Sequence, residues 1–199
     1  MVHTDSRFAV AIEKAVGEIE AETDAELIVV AVPRSGSYRD VAHLCGIVAG
    51  VDVLAFLCWS PWIFDPLYFP LDVAGVAAIA SWLAAWSGLA VRLAGETRRR
   101  RQMRECAEAA FVQEAAHATV GRTGVLVYLS AEEGRVELIP DHGLLGRVPG
   151  AEWNALGLTA ADLASLLEGL QRLGVLLARH VPPTGDNPDE IANAPRVRA

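Results

Sequence analysis

Two long apolar runs, Val41 to Trp59 and Leu67 to Val91, constrain this chain more than any other feature. His43 and Asp52 are the only ionisable side chains of the first run besides its cysteines. Asp72 is the only acid of the second run, which has no base. Each run has about 20 residues or more, enough for a helix to cross an apolar layer of about 30 Å. Ser60-Pro61-Trp62-Ile63-Phe64-Asp65-Pro66 separates them, with two prolines that stop a helix. Trp59, Trp62, Phe64, Tyr68 and Phe69 crowd this turn, as interfacial aromatic rings do. The pattern predicts a transmembrane hairpin over 41–91, with helices over 41–60 and 67–91.

The flanking charges orient it. Arg34 and Arg39 precede the first run, and Arg92 and the cluster Arg98, Arg99, Arg100 and Arg101 follow the second. The connecting loop has no Lys or Arg. Cationic flanks stay in the cytoplasm, so the loop is expected outside and both soluble segments inside. The expectation is a multi-pass protein of the cell (inner or plasma) membrane with both termini cytoplasmic. The arginine cluster reads as a topology anchor that touches anionic headgroups, each base contributing about 1 kcal/mol.

Composition agrees with this division. Hydrophobic residues make up 52% and mean hydropathy is +0.29, high for a soluble domain, and the excess lies in the two runs. The formal charge of -8 argues against a nucleic-acid partner. Cys45, Cys58 and Cys106 show no C-x-x-C spacing, so neither a zinc site nor a disulfide framework is expected. Met1 to Phe8 carries Asp5 and no apolar run, unlike a signal peptide.

Outside the hairpin the chain reads as α/β. Phe8, Ile12, Val16 and Ile19 recur at helical spacing over residues 6–22, with Thr4 or Asp5 as a cap. Glu26 to Val32 is a continuous β-branched run, the pattern of a strand buried on both faces. Residues 102–119 read as a helix. Thr123 to Ser130 and Arg135 to Pro140 read as strands joined by the turn Ala131-Glu132-Glu133-Gly134. Leu163, Leu166, Leu167, Leu170, Leu173 and Leu177 form a helical stripe, with Thr159 as its N-cap and Asp162 three residues on. Residues 1–40 and 92–180 are expected to form one domain, and the Pro-rich, polar segment 181–199 a disordered tail. If the first two strands pair in parallel, the hairpin is an insertion in a β-α-β crossover.

In that order, several pieces resemble the TPM domain. They are Glu22-Thr23-Asp24-Ala25-Glu26-Leu27-Ile28-Val29-Val30, Thr123-Gly124-Val125-Leu126-Val127-Tyr128-Leu129-Ser130, and Arg135-Val136-Glu137-Leu138-Ile139-Pro140-Asp141-His142-Gly143, with Val148 to Trp153 following. The family includes thylakoid-lumen proteins of photosystem repair and many bacterial membrane proteins. The resemblance implies a small mixed sheet sandwiched by helices. It also implies roles in assembly or repair, divalent-cation binding in some members, and low acid-phosphatase activity in others. The commonest family form has an uninterrupted domain outside the cytoplasm beside a terminal anchor, whereas here the anchor is internal.

Asp141 is the strongest site candidate, at a strand end before a glycine that permits close backbone approach. With Glu26 or Asp24 its carboxylate could hold Ca²⁺ or Mg²⁺, and an Asx-turn is the plainer role. His142 and His117 are weaker candidates for a ligand or an acid/base. No nucleophile elbow, P-loop or Cys-centred phosphate loop occurs, so phosphoryl hydrolysis would be metal-assisted. Counted from the turn, Asp52 lies about 14 Å deep and Asp72 about 9 Å. A carboxylate at such depth faces protein or water, so the pair could share a proton or a hydrogen-bond network across the hairpin, serve a proton- or ion-coupled step, or meet a partner subunit. Asp72 could also reach the outer interface, and a neutral, protonated Asp that locks the hairpin is the plainer role. Two functions follow as expectations. One is an interaction, assembly or repair factor for another membrane protein, or a homo-oligomer. The other is a weak metal-dependent phosphatase using Asp141.

Overall fold

The structure is a computed structural model that describes residues 6–119, 121–185 and 191–198. It forms two compact units: Gly36–Arg100 make one, and the described parts of Met1–Ser35 and Arg101–Ala199 make the other.

The second of these is a mixed four-stranded sheet flanked by helices. Its strands are β1 (Glu26–Val32), β2 (Gly124–Ser130), β3 (Arg135–Pro140) and β4 (Arg196–Val197), in the order β3-β2-β1-β4. β1 and β2 pair in parallel, Glu26 opposite Gly124 through Val32 opposite Ser130. β2 and β3 form an antiparallel hairpin, Val125 opposite Pro140. Every residue of β1 and β2 is buried, as the continuous apolar run after Glu26 predicts for β1.

Strand alternation divides these runs between two cores. Leu27, Val29, Ala31, Val125, Val127 and Leu129 face α1 (Ser6–Glu20) and α8 (Leu163–His180). The stripe Phe8, Ile12, Val16 and Ile19 of α1 and Leu166, Leu170, Leu173 and Leu177 of α8 close that side. Ile28, Val30, Val32, Leu126 and Tyr128 face the opposite way, against Met103, Ala107 and Ala110 of α5 (Glu96–Gln113). Two short helices, α6 (His142–Leu145) and α7 (Gly150–Ala155), fill the stretch between β3 and α8.

Several local expectations change. The cap of α8 is Asp162, whose Oδ1 accepts from Ser165 N at 2.7 Å, while Thr159 pairs with Arg135 beside β3. The expected cap of α1, Thr4 or Asp5, lies outside the described residues. α5 starts at Glu96 and stops at Gln113 instead of spanning 102–119; Ala115 then takes φ 55°, which a helix cannot continue through. The polar tail is not wholly without structure either. Arg196 and Val197 pair with Val30 and Ala31, covering the edge of β1, and Arg196 and Arg198 both bind the Glu114 carboxylate.

The unit Gly36–Arg100 is helical: α2 (Arg39–Trp59), a 3-10 turn (Pro66–Tyr68), α3 (Phe69–Trp86) and α4 (Leu89–Leu93). The second apolar run therefore does not make one helix to residue 91. It starts as the 3-10 turn and ends at Trp86, where Gly88 at φ 69° turns the chain into α4. α2 and α3 pack antiparallel, since Gly46 meets Ala77 and Ser81 while Gly50 meets Val73 and Ala77. Both helices with the turn before α3 are 21 residues long and apolar enough to cross a membrane.

Candidate functional site

The helical unit has small residues inside and large ones outside. A Cβ at Gly46 would lie 2.0 Å from Ser81 Oγ and 2.4 Å from the Ala77 carbonyl, so the helices touch where a side chain is missing. Among the described residues the unit buries Gly46 and Gly50 together with Tyr38, Ala42, Ala84, Ala90 and Val91. Leu44, Ile47, Val48, Val51, Leu71, Ile79 and Trp82 are all more than half exposed. A soluble helix turns one apolar stripe inward, whereas these are apolar all round. Aromatics lie at both ends. Phe56, Trp62 and Phe64 form an edge-packed group at the turn, and Trp82 stacks on Trp86 at 5.8 Å at the other end. Trp62 and Phe64 were expected at the turn from the sequence, but the part of Phe56 and the Trp82–Trp86 pair were not.

Asp52 and Asp72 are both exposed, and no hydrogen bond joins them. The expected shared network across the hairpin does not form. Asp72 lies in the first turn of α3, where a carboxylate complements the helix dipole. Asp52 is seven residues from Trp59, about 10 Å along α2, and projects from the outer surface with no partner among the described residues.

The arginine cluster is mostly neutralised at home. Arg98 pairs with Asp40, Arg100 with Glu96, and Arg101 with Glu105. Of the cluster only Arg99 lacks an acid partner among the described residues, so the expected row of four headgroup-seeking bases is reduced. Acids spaced four residues away on the same helix account for two of the three pairs.

In the α/β unit Asp141 follows β3 and is 5% exposed. Its Oδ1 accepts from His142 N at 2.6 Å and caps α6, which is the Asx-type role. Its Oδ2 is buried and has no hydrogen-bond partner among the described residues. Because β3 runs antiparallel, Asp141 lies where β1 and β2 begin, not at the ends where open α/β sheets hold ligands. Asp141 N donates to the Gly124 carbonyl, and Glu26 stands opposite Gly124 on the other side. Glu26 and Asp141 therefore share one row, about 10 Å apart at two strand spacings. Gly124 is required between them, since a Cβ there would lie 2.1 Å from the Ala116 carbonyl. Asp24 is directed elsewhere: its carboxylate accepts from Thr184 N at 3.0 and 3.1 Å. The structure thus does not gather Asp24, Glu26 and Asp141, and among the described residues no three His, Cys, Asp or Glu group as metal ligands. His142 is exposed, and His117 lies beside Phe111 at 6.3 Å.

A buried polar group at the other end of the sheet was not anticipated. Glu133 accepts from the Ser130 hydroxyl and from Ser35 N, and Cys106 donates to the Ser35 carbonyl. These bonds tie the β2–β3 turn to the chain leaving β1. Burial pushes the Cys106 thiol above its ordinary value, assisted by Glu133 and Glu105, and burial also raises the Tyr128 phenol. The glutamate pair in the turn carries no motif, so only its three-dimensional neighbours reveal it.

Neither a family model nor a curated protein matches this chain. Among solved structures, the NMR structure of BA42 protein from the psychrophilic bacteria Bizionia argentinensis sp. nov. is similar over 98% of this chain and 94% of that one. The identity is 15% and the TM-score 0.58. At that identity the likeness bears on the fold alone.

Proposed function

We propose that this chain is a membrane-anchored interaction or assembly factor. Its hairpin crosses the cell membrane twice and holds the α/β unit on the cytoplasmic side, where it engages another membrane protein. The observation that carries this reading is the inverted hairpin, with glycine and alanine between the helices and leucine, isoleucine, valine and tryptophan outside. At 21 residues, each segment spans about 31 Å as a helix, the thickness of a bilayer's apolar core. Exposed Asp52 favours a partner, because a carboxylate facing lipid is costly and is satisfied by protein or water. The resemblance of the strand motifs to the TPM domain supports a role in assembly or repair.

Fractionation of lysed cells tests the anchor. The full chain should sediment with membranes and need detergent for release, and monodisperse protein in a detergent-free supernatant would refute it. Affinity capture in mild detergent tests the partner. A stoichiometric membrane protein should copurify and be lost from Asp52→Leu; recovery unchanged by that substitution removes Asp52 from the interface.

Asp141 favours a second reading, weak divalent-cation binding. Its buried Oδ2 has no hydrogen-bond partner among the described residues, and a desolvated carboxylate gains from a cation. Water would complete the coordination, as Mg²⁺ commonly requires. No hydrolytic step follows from one such carboxylate. Mg²⁺ or Ca²⁺ should raise the thermal midpoint of the full chain and leave that of Asp141→Asn unchanged. Equal shifts in both would dismiss the site.

A further inference from the structure

The helical unit carries a groove that its own packing leaves open. It lies between α2 and α3, has a volume of about 680 Å³, and is lined largely by apolar side chains. Arg39 and His43 stand at one end, one turn apart on the same face of α2. Ile47 continues that face, and Ala78, Ser81 and Trp82 line the groove from α3. Arg39 and His43 are both exposed, and among the described residues neither has a hydrogen-bond or acid partner. This sets them apart from Arg98 and Arg100, whose charges are met by Asp40 and Glu96.

We infer that this groove binds one anionic phospholipid, its phosphate held by Arg39 and His43 and an acyl chain lying along Ile47 and Ala78. The inference rests on the hairpin being in a membrane, as proposed above. In that topology Arg39 stands at the cytoplasmic interface, where anionic headgroups concentrate and attract bases. From Arg39 to Ile47 is eight residues, about 12 Å along the helix, most of one leaflet's depth. Alanine at position 78 leaves width for a chain, and Trp82, stacked on Trp86, is an amphipathic ring of the kind favoured at headgroup level. Charge at one end and hydrocarbon along the rest match a phospholipid, whereas free phosphate would use only the end.

Native mass spectrometry of the full chain in neutral detergent tests this, with phosphatidylglycerol and phosphatidylcholine of identical acyl chains as probes. Phosphatidylglycerol should be retained preferentially. Arg39→Gln should weaken that retention by about fivefold, the effect of one interfacial arginine, and His43→Gln, which removes an imidazole rather than a fixed charge, should weaken it by a smaller factor. Ala78→Trp should fill the groove and remove it, while Arg92→Gln, outside the groove, should not. Equal retention of the two lipids, or wild-type retention by Ala78→Trp, overturns the inference. So does efficient disulfide pairing of two Ala78→Cys chains in bilayers, which would give the groove to a second copy. If any of these occurs while the chain still sediments with membranes, only the lipid site fails; a chain that stays in the supernatant defeats both proposals.

Discussion

Arg98 grips Asp40 with both terminal guanidinium nitrogens, at 2.6 and 2.9 Å, while its Cζ lies 5.9 Å from the centre of the Tyr38 ring. One side chain near the start of α5 thereby holds the first turn of α2. Tyr38 is buried among Ala42, Ala84, Ala90 and Val91, so the contact is anchored on a packed residue. Bidentate geometry gives this pair a specificity that the other exposed pairs of the arginine cluster lack. Arg98→Ala should speed amide hydrogen exchange over the first turn of α2, and a swapped pair, Asp40→Arg with Arg98→Asp, should restore part of the protection. Exchange indifferent to both changes would show that the pair holds nothing.

The contact at Gly46 makes a prediction in which the sign decides. In an exposed helix, glycine to alanine stabilises by about 1 kcal/mol. Here the added methyl meets Ser81 Oγ and the Ala77 backbone, and a carbonyl cannot rotate away. Gly46→Ala should therefore destabilise the hairpin by about 1–3 kcal/mol, the usual cost of overpacking. At Gly50 the nearest atom is the Ala77 Cβ at 3.3 Å, so Gly50→Ala should be close to neutral. Thermal unfolding of the full chain in detergent compares the two, and a rise in midpoint for Gly46→Ala would mean the helices do not meet there.

Much of this architecture is legible in the sequence because burial on both faces leaves a distinctive signal. Glu26–Val32 has no polar residue after its first, and it is indeed a central strand. Phe8, Ile12, Val16 and Ile19 show a clean helical period because α1 has only one buried face. The hairpin's extent is legible for a different reason, two long runs that are apolar on every side, but where its second helix ends is not. Leu89–Leu93 continues the apolar composition past a helix break that the positive φ of Gly88 makes. β4 is hidden because two residues carry no period, and its pairing depends on an edge of β1 left vacant by distant parts of the chain. At the candidate site, Asp141 is readable as a residue before a turn glycine. That Asp24 would be drawn off by Thr184, 160 residues away, has no local signature.

Asp162 gives a pH dependence with a definite sign. The Ser165 backbone N–H, with further help from the Ser165 side chain, holds its carboxyl below the ordinary carboxylate range. A depressed value in the folded chain means the carboxylate contributes stability above its unfolded value, about pH 3.9 for Asp, and loses it as pH falls through the folded value. Asp162→Asn keeps a capping acceptor without a charge, whereas Asp162→Ala removes the cap. At neutral pH the asparagine variant should lie nearer wild type than the alanine variant. In acid, both should lose stability less steeply than wild type below about pH 4. An unchanged acid limb in both variants would show that the Ser165 bond is absent in solution.

Orientation can be read from thiol chemistry, because the structure separates two positions by access and by reactivity. Ile63 is fully exposed in the turn between α2 and α3, and the proposed topology puts that turn outside the cell. Cys106 lies in α5, partly buried, donating to the Ser35 carbonyl, with its thiol raised by burial and by the acids Glu133 and Glu105. Only the thiolate reacts, so Cys106 should label more slowly than a free cysteine at neutral pH and accelerate as pH rises past the ordinary thiol value of about 8.5. In a background of Cys45→Ala and Cys58→Ala, a membrane-impermeant maleimide on intact cells should label Ile63→Cys and leave Cys106 untouched. Inverted vesicles should reverse the access, with Cys106 reacting slowly and Ile63→Cys protected. Rapid labelling of Cys106 from outside would place the α/β unit across the membrane from where the arginine flanks assign it. Labelling of both positions from both sides would mean that α2 and α3 do not span the bilayer.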